Sequence, residues 1–115
     1  MIKHLFDKKM RLLNSYEFEK VFRKPFYKVE NSKVIIFSSL NFLVTPRLGI
    51  SIARKQIKLS HERIRIKRLI RETFRLSQYK LVKMDFVVVI KREVMFLKNS
   101  LLNNILRNLW YRHYQ

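Results

Sequence analysis

The sequence predicts an α+β protein, a two-layer sandwich in the order αβββαβα with helices on a four-stranded sheet. Three observations predict it. Residues 61–77 carry apolar side chains at helical spacing, Arg47–Arg54 alternates apolar and small residues, and Phe86-Val87-Val88-Val89-Ile90 is an unbroken apolar run. The first is a helix signature, the second a half-buried strand, the third a central strand covered on both faces. A length of 115 residues, 48% of them hydrophobic, allows one such core and no second domain.

Residues 1–12 are basic and unpatterned and read as a mobile arm, which leaves 13–115 as the single folded domain. Asn14-Ser15-Tyr16-Glu17 resembles a capping box. Asn14 accepts from first-turn amides, Glu17 reaches back, and Leu13 and Phe18 sit at the staple positions. Phe18, Val21 and Phe22 form one apolar stripe, and Pro25 ends the helix.

Residues 26–30 read as a short strand, Asn31-Ser32 as a turn, and Val34 to about Leu40 as a stronger strand. After Thr45-Pro46, Leu48, Ile50 and Ile52 point to one face of the next strand and Gly49, Ser51 and Ala53 to the other. The second face is lined with small groups, so another chain can approach the backbone closely.

Ser60 is placed to cap the main helix, with Glu62 in its first turn. At 100° per residue Ile66, Leu69, Ile70, Thr73, Phe74 and Leu76 gather on one side. Lys67, Arg68, Arg71 and Arg75 gather on the other, with Arg65 at the margin. The strand at 85–91 follows. Asn99 or Ser100 then caps a last helix with the stripe Leu102, Ile105, Leu106, Leu109 and Trp110.

Charge carries the functional reading. Lys and Arg number 26 against 8 Asp and Glu, a formal net charge of +18. Such a surface calls for an anionic partner, nucleic acid above all. Arg54–Arg75 concentrates it: nine cations and two acids give 22 residues a charge of +7. A merely solvated face usually alternates sign to gain i,i+4 pairs, whereas this one repels itself until a polyanion relieves it. Arginine outnumbers lysine on the helix, and its planar fork suits phosphate and base stacking.

The aromatics leave two readings open. Phe18, Phe22 and Phe37 serve equally as core or as the wall of a groove floored by Gly49, Ser51 and Ala53, where bases of a single strand could stack.

Other classes lack their residues. With no Cys there is no disulfide framework or thiolate zinc site. A single glycine excludes the phosphate-cradling GxxxxGK[ST] and GxGxxG loops. His4, His61 and His113 lack metal-ligand spacing, and His61 reads as a first-turn residue. Glu17, Glu19, Glu30, Asp85 and Glu93 read as caps and exposed faces, so no catalytic residue, metal site or bound cofactor is expected. The start lacks a signal-peptide h-region, and the longest apolar runs fall far short of the ~20 residues that span a bilayer. A cytoplasmic protein is expected.

The segment Arg47-Leu48-Gly49-Ile50-Ser51-Ile52-Ala53-Arg54-Lys55, followed by Arg63-Ile64-Arg65-Ile66-Lys67-Arg68-Leu69-Ile70-Arg71-Glu72-Thr73-Phe74-Arg75, resembles the protein subunit of bacterial ribonuclease P. The likeness covers residues 11–112, beginning with Arg11-Leu12 and Tyr16-Glu17-Phe18-Glu19-Lys20-Val21-Phe22. It implies a left-handed crossover between the strands at 47–54 and 85–91, where the general rule favours a right-handed one.

The likeness further implies a subunit that helps remove the 5′ leader of precursor transfer RNA, with catalysis by an RNA subunit and its Mg²⁺. By this likeness Arg63, Arg65, Lys67, Arg68, Arg71 and Arg75 face the catalytic RNA. Phe18, Phe22, Phe37, Ser51 and Lys55 line the leader cleft. The expected partners are that RNA and the leader, with no obligate protein partner and no membrane. Two departures stand out: Ile64 replaces the family's usual Asn, and Arg23-Lys24-Pro25 stands where a Gly is usual.

Three rivals differ in class. A ribosomal-type structural RNA binder shares the charge but needs no leader cleft. A basic nuclease working alone needs a general base or carboxylate metal site. A membrane-surface peptide needs apolar positions that a core already claims.

Overall fold

A computed structural model describes residues 15–115; the expected arm at 1–12 and the roles given to Leu13 and Asn14 lie outside them. The elements run α1 (Ser15–Arg23), β1 (Tyr27–Glu30), β2 (Val34–Leu40), β3 (Arg47–Ser51), α2 (Ser60–Ser77), β4 (Met84–Ile90), a 3₁₀ helix (Arg92–Phe96) and α3 (Asn99–Tyr111). The sheet order is β1-β2-β4-β3. β1 and β4 both flank β2 antiparallel, and β3 runs parallel to β4.

The apolar run of β4 therefore does sit inside the sheet, and Phe86 to Val88 are buried within it. Phe86, Val88 and Ile90 enter the main core, while Val87 packs with Val21 of α1 on the opposite face. On the main face α2 contributes Ile66, Ile70 and Phe74, and α3 contributes Leu102, Leu106, Leu109 and Trp110. Helices α2 and α3 with the sheet make the sandwich, and α1 lies on the other side.

Trp110 is the centre of the packing. Its ring meets Phe74 at 5.3 Å and Phe86 at 5.5 Å between centroids, both edge to face. Its indole N–H donates to the Thr73 hydroxyl at 3.0 Å, so the ring is buried without an orphaned donor. His113 closes the cluster against Phe86 at 5.0 Å. Its Nδ1 lies 2.9 Å from the Leu109 carbonyl, which can only accept, so the proton sits on Nδ1. Burial pushes this imidazole below the usual histidine range.

Several boundaries differ from expectation. β3 stops at Ser51, short of Arg54, because the Ala53 carbonyl accepts from both Gln56 and Ile57 and turns the chain. Ser60 is the first residue of α2 and not its cap; Leu59 holds that place with no side-chain bond. Asn99 likewise opens α3 from inside, after Lys98 at the cap. Leu76, assigned to the core stripe, is exposed. It lies about 120° round the helix from Ile70, while Ser77 falls on the core line and is buried instead.

Candidate nucleic-acid interface

Helix α2 turns its buried line, Ile66, Ile70, Thr73 and Phe74, to the sheet and projects the opposite side to solvent. Arg68 and Arg71 are exposed, and Lys67 and Arg75 are half-buried beside them. With Ile64 and Glu72, the arginines Arg68, Arg71 and Arg75 line a shallow depression of about 260 Å³. Ile64 is 57% exposed, an apolar floor between guanidiniums. Arg75 pairs with Glu72 one turn away.

The first two arginines of the motif behave differently. Arg63 folds back so that Nη1 donates to the Ile57 and Lys58 carbonyls at 2.8 and 2.9 Å. Arg65 bonds Glu62 at 2.7 Å and reaches α3, donating to Asn99 Oδ1 at 2.6 Å and the Leu97 carbonyl at 3.3 Å. Both guanidiniums fasten the start of α2 to neighbouring loops.

The second candidate surface is the sheet face under α1. Phe37, Val87 and Gly49 form one cross-strand row, and Ile35, Val89 and Ser51 the next. Helix α1 packs on the first row through fully buried Val21, with Phe18 and Phe37 partly buried around it. Phe22 stands on the flank, 41% exposed, its ring 5.3 Å from that of Phe37 in an edge contact. Lys28 on β1 places its ammonium 5.6 Å from the Phe37 centroid.

Beyond the helix the second row stays open. Ser51 and Val89 line a cavity of about 390 Å³ with Ala53, Gln56, Ile90, Lys91 and Glu93. Of the five residues expected in this cleft, Phe18, Phe22 and Phe37 come together, and Ser51 lies on the same face two strands from Phe37. Lys55 is exposed in the turn that follows β3. Lys28, Val89 and Lys91 belong to the surface as well and were missed; the β1–β2 and β2–β4 registers that place them are not encoded locally.

An ionic network fixes α1 over the sheet. Arg47 on β3 donates from Nε and Nη2 to the Asp85 carboxylate at 2.8 and 2.7 Å, and from Nη1 to Glu17 of α1. Asn41 adds a bond to Asp85 at 2.9 Å and one to the Thr45 carbonyl at 3.2 Å. Hydrogen bonding to Asp85, against the cost of burial, raises the Arg47 pKa. The sequence reading gave Glu17 to a capping box and Asp85 to caps and exposed faces. Asp85 is corrected here, being 2% exposed; the Glu17 carboxylate reaches Arg47 on the sheet, and its expected box partner Asn14 lies outside the described residues.

Among the described residues no group of three or more His, Asp or Glu could hold a metal ion, and no helix is long and apolar enough to cross a membrane.

The chain is thus an α+β domain with a basic helix face on one side and an aromatic cleft, with Lys28 at its edge, under its first helix. Comparison with known proteins gives the family. The family model Ribonuclease P matches residues 6–114. The chain is 45% identical over 115 residues to the ribonuclease P protein component of Buchnera aphidicola subsp. Acyrthosiphon pisum, covering all of both chains. It is 45% identical over 113 residues to that of Haemophilus influenzae (strain PittGG), covering 98% of this chain and 94% of the other. The chain belongs to the ribonuclease P protein family.

Solved structures agree on the fold. The Staphylococcus aureus RNase P protein superposes with a TM-score of 0.83 at 22% identity, over 92% of this chain and 98% of that one. The Thermotoga maritima RNase P protein gives 0.75 at 27% identity, over 89% and 96%.

Proposed function

We propose that the chain is the protein subunit of a bacterial ribonuclease P acting in the cytoplasm. It binds the catalytic RNA and the 5′ leader of precursor transfer RNA and so promotes endonucleolytic 5′ maturation. The observation that carries this reading is one fold with two separate anion-ready surfaces. The outward face of α2 offers Lys67, Arg68, Arg71 and Arg75 to a folded RNA. The cleft beside α1 offers Phe22 and Phe37 to bases, with Ser51, Lys28 and Lys91 nearby. Arg63 and Arg65 contribute at the helix start, where their bonds to the loops hold α2 in position, and Lys55 extends the basic rim.

In this mechanism the protein supplies electrostatics and placement. Its cations screen two polyanions from each other, and holding the leader fixes where the scissile phosphate lies. The RNA subunit and the Mg²⁺ it binds supply the chemistry.

The test is cleavage of a precursor transfer RNA by the cognate ribonuclease P RNA at low Mg²⁺, with and without the protein. Strong stimulation, with no cleavage by protein alone, is expected. Tight RNA binding without stimulation would favour a ribosomal-type structural binder instead. Phe22→Ala tests the cleft: leader-bearing substrate is expected to bind more weakly by about 1–3 kcal/mol, roughly 5- to 150-fold, the worth of one stacked base. Mature transfer RNA is expected to be unaffected. Equal weakening of both would return Phe22 to a packing role.

A further inference from the structure

We propose that the opposite flank of α1 is a second binding groove for an RNA strand, so that this short helix is straddled by two strands. The groove holds about 350 Å³ and is lined by Tyr16, Lys20, Arg23 and Lys24 of α1 and by Ser39 of β2. It is distinct from the cleft of Phe18 and Phe22. At 100° per residue those two phenylalanines lie on one side of buried Val21, and Lys24, Lys20, Tyr16 and Arg23 on the other.

The chemistry of the lining selects the ligand. Among the described residues three cations and no carboxylate line the groove. Glu17, the acid nearest in sequence to its N-terminal end, is held by Arg47. Glu19 pairs with Arg23 at 2.5 Å, but both side chains are more than 60% exposed, a screened contact that a phosphate readily displaces. Ser39 is a small floor, 8% exposed, which lets a backbone approach the sheet.

Aromatics stand beside the cations. Tyr16 is 73% exposed, one turn from Lys20. Phe26 is 68% exposed, and its N–H bonds the Ser38 carbonyl, one residue from Ser39. Cations spaced along a helix, a small floor and exposed rings fit a phosphodiester backbone whose bases can stack. A small anion would need no rings, and an apolar peptide would strand the three charges.

The inference rests on RNA being the polyanion of this protein, and either the catalytic RNA or the body of the substrate supplies the strand. The chain has no cysteine, so Lys20→Cys gives one attachment point for a photo-crosslinker. Asn104→Cys, exposed on α3, serves as the control. Holoenzyme assembled with labelled catalytic RNA or labelled precursor transfer RNA is expected to crosslink at Lys20→Cys well above the control, and the labelled chain identifies the source. In parallel, the Lys20, Arg23 and Lys24→Ala triple variant is expected to flatten the salt dependence of RNA binding by about two to three contacts. Crosslinking at control level together with an unchanged slope would overturn the groove. Stimulation of cleavage by the unaltered protein is scored separately, so failure of the groove and failure of the subunit reading are distinct results.

Discussion

Asp85→Ala is expected to lose about 3–5 kcal/mol of stability, read as a lower urea midpoint at unchanged m-value. The reason is asymmetry. Asp85 is nearly inaccessible, and it receives two bonds from Arg47 and one from Asn41. Removing it leaves a guanidinium, 20% exposed, beside a cavity, with Glu17 as its remaining counter-charge among the described residues. Breaking one side of a buried pair strands the other charge, which costs far more than the pair is worth to a surface. Against a total of about 5–15 kcal/mol for a domain, that is a large fraction.

The same deletion reaches the proposed function. Arg47 is the link through which Glu17 ties α1 to the sheet, and α1 forms one wall of both grooves. The variant is expected to bind leader less selectively even where it remains folded. A loss under about 1 kcal/mol would mean that water screens the network as it does an exposed pair.

That network marks where sequence reasoning stops. Arg47 lies 30 residues from Glu17 and 38 from Asp85, and nothing local tells that either carboxylate meets a cation on a distant strand. Periodic signals survived because they are local. The α2 line, the α3 stripe and the β4 run each repeat a spacing that one element can satisfy by itself. Caps fared worse. Asn99 or Ser100 is expected to cap its own helix, yet Lys98 holds that place and the Asn99 side chain accepts from Arg65 on another. The placement of α1 on the opposite face of the sheet, with Tyr16 and Lys20 facing away from Phe18, depends on tertiary packing and was not foreseen.

The helical wheel drew one distinction that the family likeness blurred. It grouped Lys67, Arg68, Arg71 and Arg75, with Arg65 at the margin, whereas the motif joined these with Arg63. The structure turns Arg63 and Arg65 onto carbonyls and an acid, which separates fastening from display. A folded helix start is a precondition for the display. Two of the six cations therefore have a role that needs no ligand.

Replacing Lys67, Arg68, Arg71 and Arg75 together by Ala is expected to have the largest effect on binding. Each phosphate contact contributes a slope of about −0.7 to −0.9 in log K against log salt, so four contacts contribute about −3 to −3.5. Between 50 and 200 mM salt the affinity loss of the variant is then expected to be roughly 50- to 150-fold smaller than that of the unaltered protein, because a salt-dependent attraction has been removed. Arg68→Ala alone is expected to account for about one contact.

Unfolding does not mimic this result. Arg71 has Lys67 and Arg75 at i,i+4 spacing, like-charge pairs that oppose the helix, and Ala is the best helix former. The fourfold variant is therefore expected to unfold no earlier than the parent. Arg65→Ala should show the reverse pattern. Its bonds to Glu62 and Asn99 join α2 to α3, so it should lose about 1–3 kcal/mol of stability while the salt slope changes by less than one contact. Salt titration and urea unfolding of the two variants side by side separate the roles. An unchanged slope in the fourfold variant would remove the outward face of α2 from the RNA interface.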